Sequence, residues 1–440
     1  MQTTAPAAPG VAAPAVTGYE AHRKEPLAGA FFWVLAFMAV YCGRPEDYIP
    51  GVAHLHPALI VGACALTAFV LSLGHLKKGL PREIILLVLL LIQLGLASVL
   101  SPVFKAHAVT VTIEFSKAVL IIVVMVLAVT TFKRFRKLLF IQTAAVAVIA
   151  AASVAKGVRN GGRLYGVLNG IYANPNDLAI AQVLCLPICL FFLFRSRRAA
   201  AKLAWLGASL VMVYCVFLTA SRAGFLALII IAAVCLWEFG VKGGRRYLIP
   251  LAMLCVLLLV AFAGHNTRQR LASTFSSQSD YEHAHGSAMA RKRLLILSLK
   301  VTAEHPIFGI GPGDFRIISG QWNETHNVYT ALSAEAGLPA LFLFLAIYWC
   351  SFVNLREAIK RVEPGSEVFI LAQAIRASLI AFAPAAFFFP DAYQYFVYFM
   401  FAYSTLILRV SSREAAGPAA GSTRSRTSLH PGALAKVSTS

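Results

Sequence analysis

Twelve apolar runs, most of them close to the ~20 residues that a helix needs to cross the hydrocarbon core of a bilayer, follow one another along the 440-residue chain. Their cores fall at 27–42, 57–73, 83–100, 114–132, 138–155, 177–194, 203–220, 223–239, 248–264, 337–354, 367–389 and 393–410. In lipid only helices and closed barrels satisfy their own backbone groups, and continuous runs of this length select helices. With 59% apolar and 13% charged residues, about half the charge of an ordinary soluble domain, the chain has too little polar surface to hold a globule in water. The expected fold is all-α: a polytopic membrane helix bundle of about twelve transmembrane helices with one long loop at 265–325.

The formal net charge of +20 divides into a topological part and a chemical part. Short cationic loops stay on the cytoplasmic side. Alternate connections hold 24 and 13 of the 39 Lys and Arg, with Lys117 and Arg376 inside spans, so both termini are expected in the cytoplasm and the long loop outside. Residues 1–26 and 411–440 lack apolar periodicity and are expected to be disordered cytoplasmic tails around a membrane domain at 27–410. Cations interrupted by apolar runs make no continuous basic face, which argues against a nucleic-acid partner and leaves the lipid bilayer as the surrounding medium. The eight Cys all fall in apolar runs without a CxxC pair, and read as small buried hydrophobes rather than disulfide, metal or redox groups.

Sorted by side, the unusual polar features gather outside. The segment GGRLYGVLNGIYANPNDLA (161–179) carries Arg163 where the charge rule disfavours a cation, and Asn176 as a possible helix cap. Thr219 to Gly224 joins two runs with almost no loop, which sets Arg222 at a helix N-terminus suited to a phosphate, unless it only snorkels to the interface. Ser287 to Val301 has the pattern of an amphipathic surface helix, with Arg291 expected toward the membrane and Lys292 and Arg293 solvated or facing lipid phosphates. The glycines of HPIFGIGPGDF (305–315) could cradle an anion, although no strand precedes them and no P-loop lysine follows.

Thr325-His326-Asn327 closes the loop before a helical pattern that Gly337 and Pro339 interrupt. A His at such a break, in a wet cavity, can orient or deprotonate a hydroxyl; it can equally be held by backbone. His283, His285, His305 and His326 are weak candidates for zinc, and no metal site is expected. Glu114 and Lys117, three residues apart, should neutralise each other, whereas Glu335 and Arg376 are either functional or paired across helices.

GRLYGVLNGIYANPNDLA, TASRAGFLAL, SAMARKRLL, HPIFGIGPGDF and THNVYTALSAEAGLPALFLFL occur in the order seen in the O-antigen ligase and polymerase superfamily, which residues 161–345 resemble. The resemblance implies a metal-independent, inverting glycosyltransferase without a cofactor. Such an enzyme moves a glycan from an undecaprenyl-diphosphate donor to lipid A core, or to another glycan or protein acceptor, at the periplasmic face of the bacterial inner membrane. By motif it places the family's catalytic groups on Arg222, Arg291 and His326, with Arg293 an alternative to Arg291 and SRAG standing where SRG is commoner. Arg163, Asn176 and Asn327 are expected to shape the substrate site. A transporter or flippase is the competing class, since twelve spans with intramembrane charges also suit one.

Overall fold

The computed structural model describes residues 27–415 apart from 48, 50, 76–78, 161–162, 167–169, 243–245, 247–249, 251–280, 321–323 and 390–391. Its helices are α1 (Ala28–Gly43), α2 (Pro57–Val70), α3 (Arg82–Val99), α4 (Lys105–Ala128), α5 (Phe132–Lys156), α6 (Pro175–Arg195), α7 (Ala199–Thr219) and α8 (Arg222–Cys235). After these come α9 (Tyr281–Glu304), α10 (Phe315–Ile318), α11 (Val328–Lys360), α12 (Glu367–Ala385) and α13 (Tyr395–Ala415). The described strands are two-residue pieces between α5 and α6, in which Asn160 pairs antiparallel with Arg163.

Eleven of the twelve apolar runs coincide with helices, and the twelfth, 248–264, lies outside the described residues. Eight of these helices are long and apolar enough to cross a membrane: α1, α3, α4, α5, α6, α7, α11 and α12. Eight clear spans therefore stand against the expected twelve, and α2, α8 and α13 cover three further apolar runs. The α2 helix has only 14 residues, and α8 has 14 before it continues as a π-helical turn to Val241. The α4 helix begins at Lys105, nine residues ahead of its apolar run, because His107, Thr110 and Glu114 are polar yet helical. The final helix continues to Ala415, past the expected start of the tail at 411.

One extended apolar core joins the bundle, and α6 is its most enclosed span, with 78% of its most apolar window buried. The α3 helix shows what medium surrounds the bundle. Ile84, Leu87, Leu90 and Leu94 face the core, while Ile85, Leu89, Ile92 and Leu96 form a second apolar stripe facing away from it. A helix that is apolar on both faces suits lipid and not water.

A smaller core holds the α9 connection in place: Leu294 and Val301 of α9 pack with Ile310, Phe315 and Ala334. Thr302 and Ser333 share a 2.9 Å hydrogen bond in the same contact between α9 and α11. The α11 helix is broken at Gly337, whose φ of 84° and ψ of 170° are non-helical, as the Gly337-Pro339 punctuation implies.

Candidate active site

The short turn between α7 and α8 builds the first half of the site. Between α7 and α8 the chain reverses through Ala220, in the left-handed region at φ 48°, and Ser221, whose hydroxyl caps α8 by accepting from the Gly224 amide at 3.1 Å. Arg222 is thus the first residue of α8 and is exposed, beside amides that have no intrahelical partner. Gly224 permits this approach: a Cβ there would stand 2.7 Å from the Ala179 Cβ of α6.

Side chains from the α5–α6 connection lock the turn. The Arg163 Nε donates to the Thr219 carbonyl at 3.1 Å, and its guanidinium donates to the Asn176 side-chain oxygen, also at 3.1 Å. That oxygen accepts a second bond from the Ser221 hydroxyl at 2.8 Å. Arg163, Asn176, Thr219 and Ser221 therefore fix the direction in which the α8 N-terminus faces.

The other half comes from the long loop. Arg291 of α9 lies three residues before Leu294 on the docked stripe and is half-buried, while Lys292 and Arg293 are exposed. Burial, then the charges of Arg222 and Arg163, push the Arg291 guanidinium down from its ordinary value. His326 is also half-buried, with φ 52°, and its Nδ1 is buried without a hydrogen-bond partner among the described residues. Burial first, then Arg291 and Arg163, lower its pKa, so the ring is neutral near pH 7. Neither Arg222 nor Arg291 has a carboxylate within 4.0 Å among the described residues. The like charges of Arg222 and Arg291 repel, and a bound anion would relieve that repulsion.

Residues 207–345 match the family model described as O-antigen ligase. Over these residues the chain is similar to O-antigen ligases. No curated protein matches the chain. The matched segment contains Arg222, Arg291 and His326, whereas Arg163 and Asn176 reach it from outside.

The structure assigns several residues roles other than those expected. Asn174, and not Asn176, caps α6, accepting from the Asn176 amide at 2.9 Å; Asn176 sits inside the first turn and bridges Arg163 to Ser221. Asn327 caps α11 through bonds from the amides of Tyr329 and Thr330, so its side-chain oxygen is committed to the helix. Arg291 lies close enough to Arg222 and Arg163 to feel their charges. The glycines of 309–313 do not form an anion cradle. The Ile310 and Gly311 amides donate to the carbonyls of Ala334 and Glu335, and a Cβ on Gly309 would lie 2.4 Å from the Glu335 carbonyl carbon.

Among the described residues, each charge expected inside a span has a polar partner. Lys117 meets Glu114 at 2.6 Å, Arg376 meets Glu238 at 2.9 Å, and Glu335 accepts from the Tyr393 hydroxyl at 2.8 Å. The side chains of His283 and His285 fall outside the described residues, and among the described residues no three His, Cys, Asp or Glu side chains assemble as a metal site. Sequence reasoning missed Ser221 and Thr219 as fixing groups, although both stand beside Arg222 in TASRAG.

Proposed function

We propose that this protein is an inverting glycosyltransferase that moves a glycan from undecaprenyl diphosphate to an acceptor hydroxyl at the periplasmic face of the bacterial inner membrane, most simply to lipid A core as an O-antigen ligase. The observation that carries the reading is the convergence of Arg163, Arg222, Arg291 and His326 from separate connections into one electrostatically coupled group. A diphosphate is already a competent leaving group, so the reaction asks for charge stabilisation more than for a general acid. Arg222 and Arg291 supply that charge as planar forks suited to phosphate oxygens, the task that a divalent cation performs elsewhere.

In this reading the acceptor oxygen attacks the anomeric carbon, a C–O bond forms on the opposite face, and the bond to the diphosphate oxygen breaks with its electron pair leaving on that oxygen. The acceptor proton passes to the neutral His326 ring or is oriented by it on its way to water. Arg163 and Asn176 hold the α8 terminus, and Arg293 is the exposed cation through which lipid phosphates would be met. Transport is the weaker reading, because the intramembrane Arg376 is neutralised by Glu238.

The test is the glycan profile of cells lacking the protein. Accumulated lipid-linked polymer supports the ligase, single capped repeat units point instead to a polymerase, and unmodified target protein to protein glycosylation. An unchanged profile overturns all three.

A further inference from the structure

A groove of about 950 Å³ runs between α1, α2 and α4, and none of Arg163, Arg222, Arg291 and His326 lines it. Its polar groups gather at one end. Arg44 follows α1, His56 precedes α2, and Glu114 and Lys117 stand on the first half of α4. The other end is apolar on all three helices, with Phe37 of α1, Leu66 of α2 and Val124 of α4. Small residues on α2 keep the space between them open: Gly62, where an added Cβ would stand 3.5 Å from the Phe37 ring, and Ala63, which is exposed. From Pro57 to Leu66 the α2 wall extends for about 14 Å at 1.5 Å per residue, so the groove has the length and the polarity gradient of an amphiphile.

The polar end holds an excess of negative charge. Arg44 is shared by two carboxylates, meeting Glu46 Oε1 at 2.8 Å and both oxygens of Asp47 at 3.1 Å, whereas Lys117 is matched one to one with Glu114 at 2.6 Å. Three carboxylates thus line the groove against two Lys and Arg side chains. The Glu46 side chain is only 10% exposed, and its second oxygen, Oε2, is buried without a hydrogen-bond partner among the described residues. Leaving a buried carboxylate oxygen unbonded is costly, and a donor that also carries positive charge relieves the cost twice over. An ammonium supplies both the charge and the N–H groups; a phosphate supplies neither. The apolar walls below add room for a hydrocarbon chain, which a soluble amine lacks.

We propose that this groove binds a phospholipid with a primary-ammonium headgroup, its ammonium on Glu46 and one acyl chain along Leu59, Ala63, Leu66 and Leu120. The chain leaves one apolar medium for another and adds little selectivity, so the headgroup decides among lipids. An ethanolamine head donates to Glu46, a choline head has no N–H to give, and a glycerol head brings no cation to offset the surplus carboxylate. Lys117 gives one of its three donors to Glu114 and stands at the same end to meet the lipid phosphate. A polyprenyl diphosphate, which carries only negative charge, is the wrong occupant. The α2 helix has 14 residues, about 21 Å against a hydrocarbon core of about 30 Å, and a lipid held beside it completes that wall of the bundle. The inference stands apart from the glycosyl-transfer reading and does not depend on it.

Native mass spectrometry of the full chain provides the test, in mixed micelles holding equal amounts of dioleoyl phosphatidylethanolamine, phosphatidylcholine and phosphatidylglycerol. The ethanolamine lipid should be retained about tenfold over either of the others, the scale of one charge-assisted hydrogen bond. Glu46→Gln removes the charge and should level the three lipids. Ala63→Phe fills the groove from an exposed helix position and should lower the retention of all of them. Undecaprenyl phosphate should not displace the ethanolamine lipid, and Arg222→Ala should keep the preference intact, which separates this site from the cationic cluster. The wild type should melt later with the ethanolamine lipid than with the choline lipid, and Glu46→Gln should lose that difference. Equal retention of the three lipids by the wild type, a preference that survives Glu46→Gln, retention unchanged by Ala63→Phe, or displacement by undecaprenyl phosphate would each overturn the proposal.

Discussion

The Arg163 guanidinium donates to the side-chain oxygen of Asn176 at 3.1 Å, and the Ser221 hydroxyl donates to the same oxygen at 2.8 Å. One carboxamide thereby couples the α5–α6 connection to the turn that presents Arg222. Asn176→Ala leaves both donors without their acceptor and frees the turn; the expected result is about a 10²-fold fall in turnover, typical of a displaced positioning contact. Asn176→Asp keeps the acceptor and should retain turnover within about tenfold of wild type. Transfer rates in proteoliposomes at matched protein levels check this, and equal losses in the two variants would show that the bridge is not what matters.

Arg222 is exposed and has no carboxylate partner among the described residues, so its removal should cost little folding stability. Arg222→Ala is expected to lower kcat by about 10²–10³, the range found when a charge-stabilising donor is removed. Arg222→Lys should recover only part of that, because a point charge cannot match two phosphate oxygens at once. Thermal melting in detergent should be unchanged in both, and a variant that melts early would assign the residue to the fold instead.

The parts of this architecture that depend on neighbours in sequence were readable from it. Apolar run length located eleven helices, and the shortness of TASRAG placed Arg222 at a helix start. Contacts made at long range were not readable. Asn174 and Asn176 are equally good caps on paper, and only the arrival of Arg163 and Ser221 separates the cap from the bridge. Likewise Asp314 and His107 meet across 207 positions, and no local pattern announces the pairing. The glycines of 309–313 misled because glycine serves close backbone approach and anion binding by the same property, the missing Cβ.

The neutral His326 gives activity a defined pH response. Burial and the charges of Arg291 and Arg163 hold its pKa below the ordinary 6.5, so the basic form persists further into acid and the acidic limb of the kcat/KM profile should lie below that value. Substituting Arg291 with Gln removes one repelling charge and should move the limb upward. Stability follows the same linkage. The unfolded chain takes up the proton first, so this group's contribution is intact above about 6.5 and is lost as pH falls toward the folded value. A limb that stays put in Arg291→Gln would mean that the two residues do not share a site.

Gly337 fastens the connection between α9 and α11 to the rest of α11. The Leu338 amide donates to the Pro306 carbonyl at 2.8 Å, and Gln93 of α3 bonds the carbonyls of Ile307 and Ala336 at 2.7 and 2.9 Å. A Cβ at position 337 would stand 2.2 Å from the Ile307 oxygen on a residue already at φ 84°. Gly337→Ala must therefore hold an alanine in a positive-φ extended conformation that is essentially confined to glycine, at about 1–3 kcal/mol, and also push two backbones apart. We expect a clear fall in melting temperature together with lost transfer, since the displaced segment leads directly to α10 and the strand of chain bearing His326. Gln93→Leu removes the same fastening from the α3 side without the steric conflict, and its activity loss should exceed its stability loss. A Gly337→Ala protein with wild-type melting and activity would refute this account of the knot.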